Sequence, residues 1–305
     1  MGRDSYQQNV IVTGASGLVG AHLVHALEGK VGAGLYGLYN SHSCQLQKCI
    51  AKQVDITDRD EVLSLNILKP KLIIHCAAIA NIAFCESKPE LSYKVNVQGT
   101  RNLVELAKQC EAKLVYLSTD AVYDGKRGNY LESDEPFPLN QYGRTKLKGE
   151  QCCYGMVPDS LIVRFNTFGK YLFSEKKSFA ENIAESLQQG REYSAFADVL
   201  FAPLYVKELV RIVLALIEKE AGGVYHVVGS DVLTKYQFAL KVAEIFGCDS
   251  SLVKKGSIDS QPIPREKKLN LCNTKMLGAL GEKATPGIEH MLTEFCSSLL
   301  NKKVH

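Results

Sequence analysis

The feature that most constrains this chain lies near its start. Val10-Ile11-Val12-Thr13, a β-branched apolar run, passes directly into Gly14-Ala15-Ser16-Gly17-Leu18-Val19-Gly20. Leu23, Val24 and Leu27 then follow at helical spacing, so the segment reads as strand, glycine turn and amphipathic helix. Glycines at 14, 17 and 20 allow a sharp turn, close approach of a pyrophosphate and tight packing of helix on sheet, while the helix N-terminus offers N–H groups to phosphate. Gly14, Ser16, Gly17, Leu18 and Val19 are therefore candidate cofactor contacts. The spacing is GxxGxxG rather than GxGxxG, and either pattern is loose alone; the flanking strand and helix give it weight.

Further strands are expected at Leu35 to Tyr39, as a third strand whose end is Val54-Asp55-Ile56-Thr57, and at Lys71 to Ala78, Lys113 to Leu117 and Leu161 to Phe165. Between them, Pro89 to Glu111 reads as one helix, with Leu103, Leu106, Ala107 and Cys110 at i, i+3, i+4 and i+7. Alternating strands and helices joined by short links predict an α/β fold, a Rossmann-like doubly wound parallel sheet. Ligands in such sheets lie beyond the carboxyl ends of the strands, where Gly14, Ala77-Ala78 and Thr119 all fall. Ala77 and Ala78 are small, as backbone lining a cofactor requires. His75, inside an apolar run, reads as a satisfied core histidine, and Asn96 either bonds backbone near the site or is exposed.

The second strand ends in Tyr39-Asn40-Ser41-His42-Ser43, without the carboxylate that would bind a ribose 2′-hydroxyl and repel a 2′-phosphate. NADP is thus preferred over NAD, with Asn40 as a contact, although no Arg stands ready for the phosphate and a solvated turn is the competing reading. Asp55 and Ile56 sit where adenine would lie; a turn-forming or helix-capping role is the alternative for Asp55.

Past Gly169 the pattern changes to amphipathic helices at Phe179 to Gly190, Val206 to Lys219 and Tyr236 to Phe246. This predicts a dinucleotide-binding domain over residues 1–169 and a smaller, mostly helical substrate-binding domain over 170–305, with Val224 to Val228 as a strand returning to the main sheet.

Ser118-Thr119-Asp120 ends a strand, and Tyr142 and Lys146 follow, four residues apart and so on one helix face. A nearby ammonium favours phenolate, so Lys146 is expected to lower the pKa of Tyr142 and make it a proton donor to a carbonyl being reduced. Thr119 or Ser118 can bond the same carbonyl oxygen. Hydride would come from the cofactor. A YxxxK pair alone occurs often by chance on surface helices; the dinucleotide half upstream and the hydroxyls before it favour catalysis.

The net charge of +3 is small and the basic residues are scattered, which argues against a nucleic-acid partner. No apolar run approaches the roughly 18 residues of a membrane span. The ten cysteines show no zinc spacing, and reduced thiols in a cytoplasmic protein are the expectation.

Together, TGASGLVG at 13–20, HCAAIAN at 75–81, LSTDAVYDG at 117–125, PLNQYGRTKLKGE at 138–150 and VLTKYQFALKVAEIFG at 232–247 resemble the extended short-chain dehydrogenase/reductases. Within them the chain is most similar to the dTDP-4-dehydrorhamnose reductase branch, which also contains the regulatory beta subunit of methionine adenosyltransferase. The resemblance implies a Rossmann fold, NADPH or NADH, and reduction at C4 of a nucleotide-linked 4-keto-6-deoxysugar, with a homodimer left open. It implies a catalytic Thr119, Tyr142 and Lys146, the latter two also touching cofactor, and substrate contacts at Ser118, Asp120 and Asn166. The chain departs from the branch at Leu18, where a Gln is usual, at Ile79, Ala80 and Ala83, and at Pro264-Arg265-Glu266. A dehydratase would need Asp-Glu after the Thr; here Asp120 is followed by Ala121. A non-catalytic NADP-binding regulatory subunit and a reductase of another carbonyl are the alternatives.

Overall fold

The computed structural model describes residues 8–31, 34–42 and 49–300. Ser43, named above after the second strand, lies outside them. Six strands, β1 (Val10–Thr13), β2 (Leu35–Tyr39), β3 (Ile50–Gln53), β4 (Leu72–His75), β5 (Lys113–Leu117) and β6 (Leu161–Phe165), join a seventh at Gly223–Val227. Their spatial order is β3-β2-β1-β4-β5-β6 with the seventh beyond β6, and every pairing is parallel. The order reverses between β1 and β4, where Thr13 is paired with His75. That reversal opens the crevice in which doubly wound sheets take their ligands.

The strands are apolar on both faces because both are covered. Val10 and Val12 point to α1 (Leu18–Leu27) and to the helix at Val206–Glu218, packing with Leu23, Val24, Leu209 and Val213. Ile11 points the other way, toward α2 (Arg59–Ser64) and the helices that follow β4. Those helices are α3 (Ile82–Ser87), α4 (Pro89–Tyr93) and α5 (Thr100–Cys110), which buries Leu103, Leu106 and Ala107. The helix expected over Pro89 to Glu111 is not uniform: a π-helical turn at Lys94–Gly99 separates α4 from α5. The turn rotates Asn96 inward, where it is buried. The third strand likewise ends earlier than expected, at Gln53, and Val54 to Thr57 form the turn that leads to α2.

After β5, a single 3-10 turn at Asp120–Val122 leads on to α6 (Gln141–Met156). Asn140 caps α6 by accepting from the Gly143 amide at 2.9 Å. Gly143 is required there, since a Cβ would stand 2.2 Å from the Ala121 carbonyl oxygen. Beyond β6, helices at Phe179–Gln188, Lys235–Ile245 and Ile288–Leu300 gather around a cluster of Phe168, Phe179, Phe201, Phe238 and Phe295. Strand Leu200–Phe201 pairs with Leu233–Thr234 and with Lys268–Leu269, a small sheet set over the carboxyl end of β5 through Lys235. The helix at Val206–Glu218 packs on α1, and the strand after it completes the main sheet. Among the described residues no helix is long and apolar enough to cross a membrane.

Candidate active site

The β1–α1 turn fits a dinucleotide phosphate. Gly17 stands at the N-cap of α1 with no side chain over the helix end, whose first amides have no intrahelical partner. Gly20 allows the turn, because a Cβ there would lie 2.1 Å from the Gly14 carbonyl oxygen. Ser16, Leu18 and Val19 are half-buried around it.

Across the crevice, Thr13 Oγ1 accepts from the amides of Cys76 and Ala77, both at 3.1 Å, so its own hydrogen is left for His75 Nδ1 at 2.8 Å. The ring proton of His75 is thereby assigned to Nε2, which donates to Thr100 Oγ1 at 2.9 Å; Thr100 donates in turn to the Asn96 carbonyl. Burial, with the Lys146 charge adding, holds the His75 pKa down at about 3. His75 is thus the core histidine expected, and its ties fix the loop that carries Ala77 and Ala78.

Asn40, Ser41 and His42 are exposed after β2, with Ser41 Oγ 2.8 Å from His42 Nδ1. Asp55 turns its Oδ1 to the Thr57 amide at 2.9 Å, and its own amide donates to Glu61. The turn-forming role therefore occupies one carboxylate oxygen. Ile56 is buried, with its carbonyl accepting from Asn102.

Thr119, Tyr142 and Lys146 come together at the carboxyl end of β5. The Tyr142 phenol faces the Thr119 hydroxyl. Thr119 Oγ1 donates to Asp120 Oδ1 at 3.1 Å and accepts from the Ala121 amide at 3.2 Å. Lys146 Nζ donates to the Leu117 carbonyl at 2.6 Å and lies 4.0 Å from the Tyr116 ring centre.

The electrostatics differ from the sequence-based expectation. Burial pushes the Tyr142 phenol above its ordinary value, opposed by the facing Thr119 hydroxyl and reinforced by the Asp120 charge. Lys146 is itself lowered to about 8 by burial, with Glu150 opposing. The ammonium is spent on the Leu117 carbonyl and the Tyr116 face, so Tyr142 is held as a neutral phenol, the form that can give up a proton.

Ser118, expected to share the carbonyl with Thr119, is turned inward and donates to Glu150. Asp120 and Asn166 are brought together but bond each other, Asn166 Nδ2 donating to Asp120 Oδ2 at 2.5 Å. Their polar atoms are engaged by protein because strands β5 and β6 end side by side. Asn140 also donates to Glu266 Oε1 at 2.9 Å, and burial, with Asp120 nearby, raises Glu266 to about 7.

Two residues near the site escape the motifs. Lys235 Nζ lies 3.3 Å from the centre of the Phe201 ring and 4.2 Å from that of Phe179, and burial lowers it to about 7 against the pull of Asp120. Arg164, inside the apolar LIVRF strand, forms a buried ion pair with Glu150 of α6. A charge within an apolar run signals a buried partner, and that signal was available in the sequence.

The reductase Agl14 of Haloferax volcanii, described as a probable low-salt glycan biosynthesis reductase, is 32% identical over 276 residues, covering 88% of this chain and 91% of the relative. Methionine adenosyltransferase 2 subunit beta of Rattus norvegicus is 28% identical over 309 residues, covering 94% of this chain and 88% of that protein. The crystal structure of dTDP-4-dehydrorhamnose reductase from Bacillus anthracis, solved in complex with NADP, superposes with a TM-score of 0.82 at 28% identity, covering 96% of this chain and 99% of that one. The family described as RmlD substrate binding domain matches residues 8–298, and the chain belongs to it.

Proposed function

We propose that the protein is an NADPH-preferring reductase of a carbonyl at C4 of a nucleotide-linked 4-keto-6-deoxysugar. The observation that carries the reading is the placement of Tyr142 against Thr119, with Lys146 one helical turn on, at the end of a strand next to the switch point. The NADP-bound reductase relative and the absence of a carboxylate in Asn40-Ser41-His42 support the cofactor assignment. Gly14, Ser16, Gly17, Leu18 and Val19 would hold the pyrophosphate, Asn40 the adenine ribose, Asp55 and Ile56 the adenine, and Ala77 and Ala78 would line the path between.

A bound nicotinamide supplies hydride to the carbonyl carbon. Tyr142 gives its phenolic proton to the carbonyl oxygen, and Thr119 turns its hydroxyl from Asp120 to that oxygen to fix the reacting face. Lys146 would turn its ammonium toward the phenolate that remains and toward the ribose of a bound cofactor. Asp120 and Asn166 bound the substrate side. Oxidation of NADPH and NADH against a panel of nucleotide-linked keto sugars tests this. Turnover with a 4-keto-6-deoxysugar, faster with NADPH, is the expected result; no turnover with any of them contradicts it.

A second reading is a regulatory subunit that binds NADP without turnover. Its support is the similarity to methionine adenosyltransferase 2 subunit beta along 94% of this chain. Stable co-elution with a methionine adenosyltransferase, with no keto sugar reduced, would favour it.

A further inference from the structure

Thr119 lies between two residues whose side chains are both tied down. Behind it, Ser118 donates to Glu150 Oε1. The same carboxylate takes Arg164 in a fork, Nε to Oε1 at 3.0 Å and Nη2 to Oε2 at 2.6 Å. Arg164 Nη1 continues to the Tyr123 hydroxyl at 2.5 Å, and that hydroxyl donates to the Leu131 carbonyl. In front, Asp120 is held by Asn166, two residues beyond Arg164 on the same chain segment. The side chains of Arg164 and Glu150 are only 4% and 2% exposed.

Burying such a pair is costly, and well-packed apolar residues of similar volume commonly serve a core as well or better. Stability alone therefore explains the pair poorly. Its placement explains more: Glu150 follows Tyr142 and Lys146 on α6 at successive i+4 steps, which puts all three on one face.

We propose that Glu150, locked by Arg164, is a positioning residue of the reaction site: through Ser118 it fixes the main chain that carries Thr119, and one helical turn from Lys146 it supplies the negative field in which that ammonium sits. The proposal rests on the reading of Thr119, Tyr142 and Lys146 given above. The titratable groups facing Lys146 are Glu150 and Cys153 from its own helix, Tyr116 from β5, and His75 and Cys76 from the end of β4. Burial pushes Cys76 up to about 12 and raises the Tyr116, Tyr142 and Cys153 groups as well, and the Glu150 carboxylate, ion-paired with Arg164, is the group that pulls the Lys146 value up. Removing its charge lowers the pKa of Lys146, and the ammonium is then lost at a lower pH.

The test uses the full chain with three changes: Glu150→Gln, Ser118→Ala and the apolar pair Glu150→Leu/Arg164→Met. NADPH affinity is followed across pH by cofactor fluorescence, unfolding by urea, and kcat and KM with a keto sugar that the wild type reduces. Glu150→Gln should move the alkaline midpoint of NADPH affinity down by about one pH unit. Ser118→Ala should lower kcat by about tenfold with NADPH affinity within about twofold of wild type. The apolar pair should fold with near wild-type stability yet shift the midpoint in the same direction, by less because the Arg164 charge goes with that of Glu150, and show a comparable loss of kcat; it carries the test if Glu150→Gln does not fold. A folded apolar pair with an unmoved midpoint and wild-type kcat would overturn the proposal and leave the network a packing device. If the wild type binds NADPH but reduces no keto sugar, the reaction assigned above fails while the midpoint still judges Glu150.

Discussion

Asn96 Nδ2 donates to Thr145 Oγ1 at 3.0 Å, which ties the π-helical turn after α4 to the middle of the helix that carries Tyr142 and Lys146. The same amide closes on one peptide from both sides. Its Oδ1 accepts from the Ile79 amide at 2.8 Å, and its second Nδ2 hydrogen goes to the Ile79 carbonyl at 3.0 Å. All of its hydrogen-bonding groups are used, so the side chain clamps the loop after β4, the π turn and α6 in one geometry. Asn96→Ala would take a partner from the Ile79 amide, the Ile79 carbonyl and the Thr145 hydroxyl. It should lower unfolding free energy by about 2–3 kcal/mol, read from the urea midpoint, and reduce turnover with it. A change within about 0.5 kcal/mol would show that water or a rearranged loop replaces the clamp.

Glycines in this chain divide by what a methyl group would meet. At Gly20 it would strike the backbone of Gly14, which has nowhere to go, so Gly20→Ala should open the β1–α1 turn and abolish NADPH binding in a fluorescence titration. At Gly155, inside α6, no atom lies within 4 Å, and Gly155→Ala should raise stability by about 0.5–1 kcal/mol through helix propensity. NADPH affinity unaffected by Gly20→Ala would remove the turn from the binding site.

Stability should fall on acidification through two buried histidines. His75 and His226 are each lowered to about 3, chiefly by burial, from an ordinary value of 6.5. The fold holds them neutral, so their contribution is complete above the unfolded value and is lost as pH falls from about 6.5 toward 3. The sign follows from the unfolded chain binding protons that the fold refuses. Urea midpoints should decline through that window, and the unfolding free energy with them. The ring protons of both histidines in a proton NMR titration should show no midpoint near 6.5; a midpoint there for either would refute its neutral, buried state.

The sheet and its ligand-binding edge were legible because their signals are local. The Val10 to Gly20 stretch specifies strand, turn and helix within eleven residues, and the runs at Leu72–His75 and Leu161–Phe165, apolar but for His75 and Arg164, specify strands covered on both sides. The assembly of Thr119, Tyr142 and Lys146 was legible from spacing. What those residues bond to was not. The direction of the Tyr142 shift depends on where the Lys146 ammonium goes, and that is set by the Leu117 carbonyl and the Tyr116 ring on another element. Ser118 looked equivalent to Thr119 because successive residues differ only in the face they present, and the face is decided by Glu150, 32 positions away. The π turn at Asn96 was invisible because a helical apolar spacing carries on through it in α5.

The central claim is that Tyr142, facing Thr119 and kept neutral by burial, is the proton donor in a hydride reduction. Comparing the wild type with Tyr142→Phe tests it most directly, by NADPH oxidation with nucleotide-linked 4-keto-6-deoxysugars alongside NADPH affinity. Turnover should drop at least about a hundredfold, the size of a lost general acid, while NADPH affinity stays within about twofold. Turnover in Tyr142→Phe equal to that of the wild type would contradict the account.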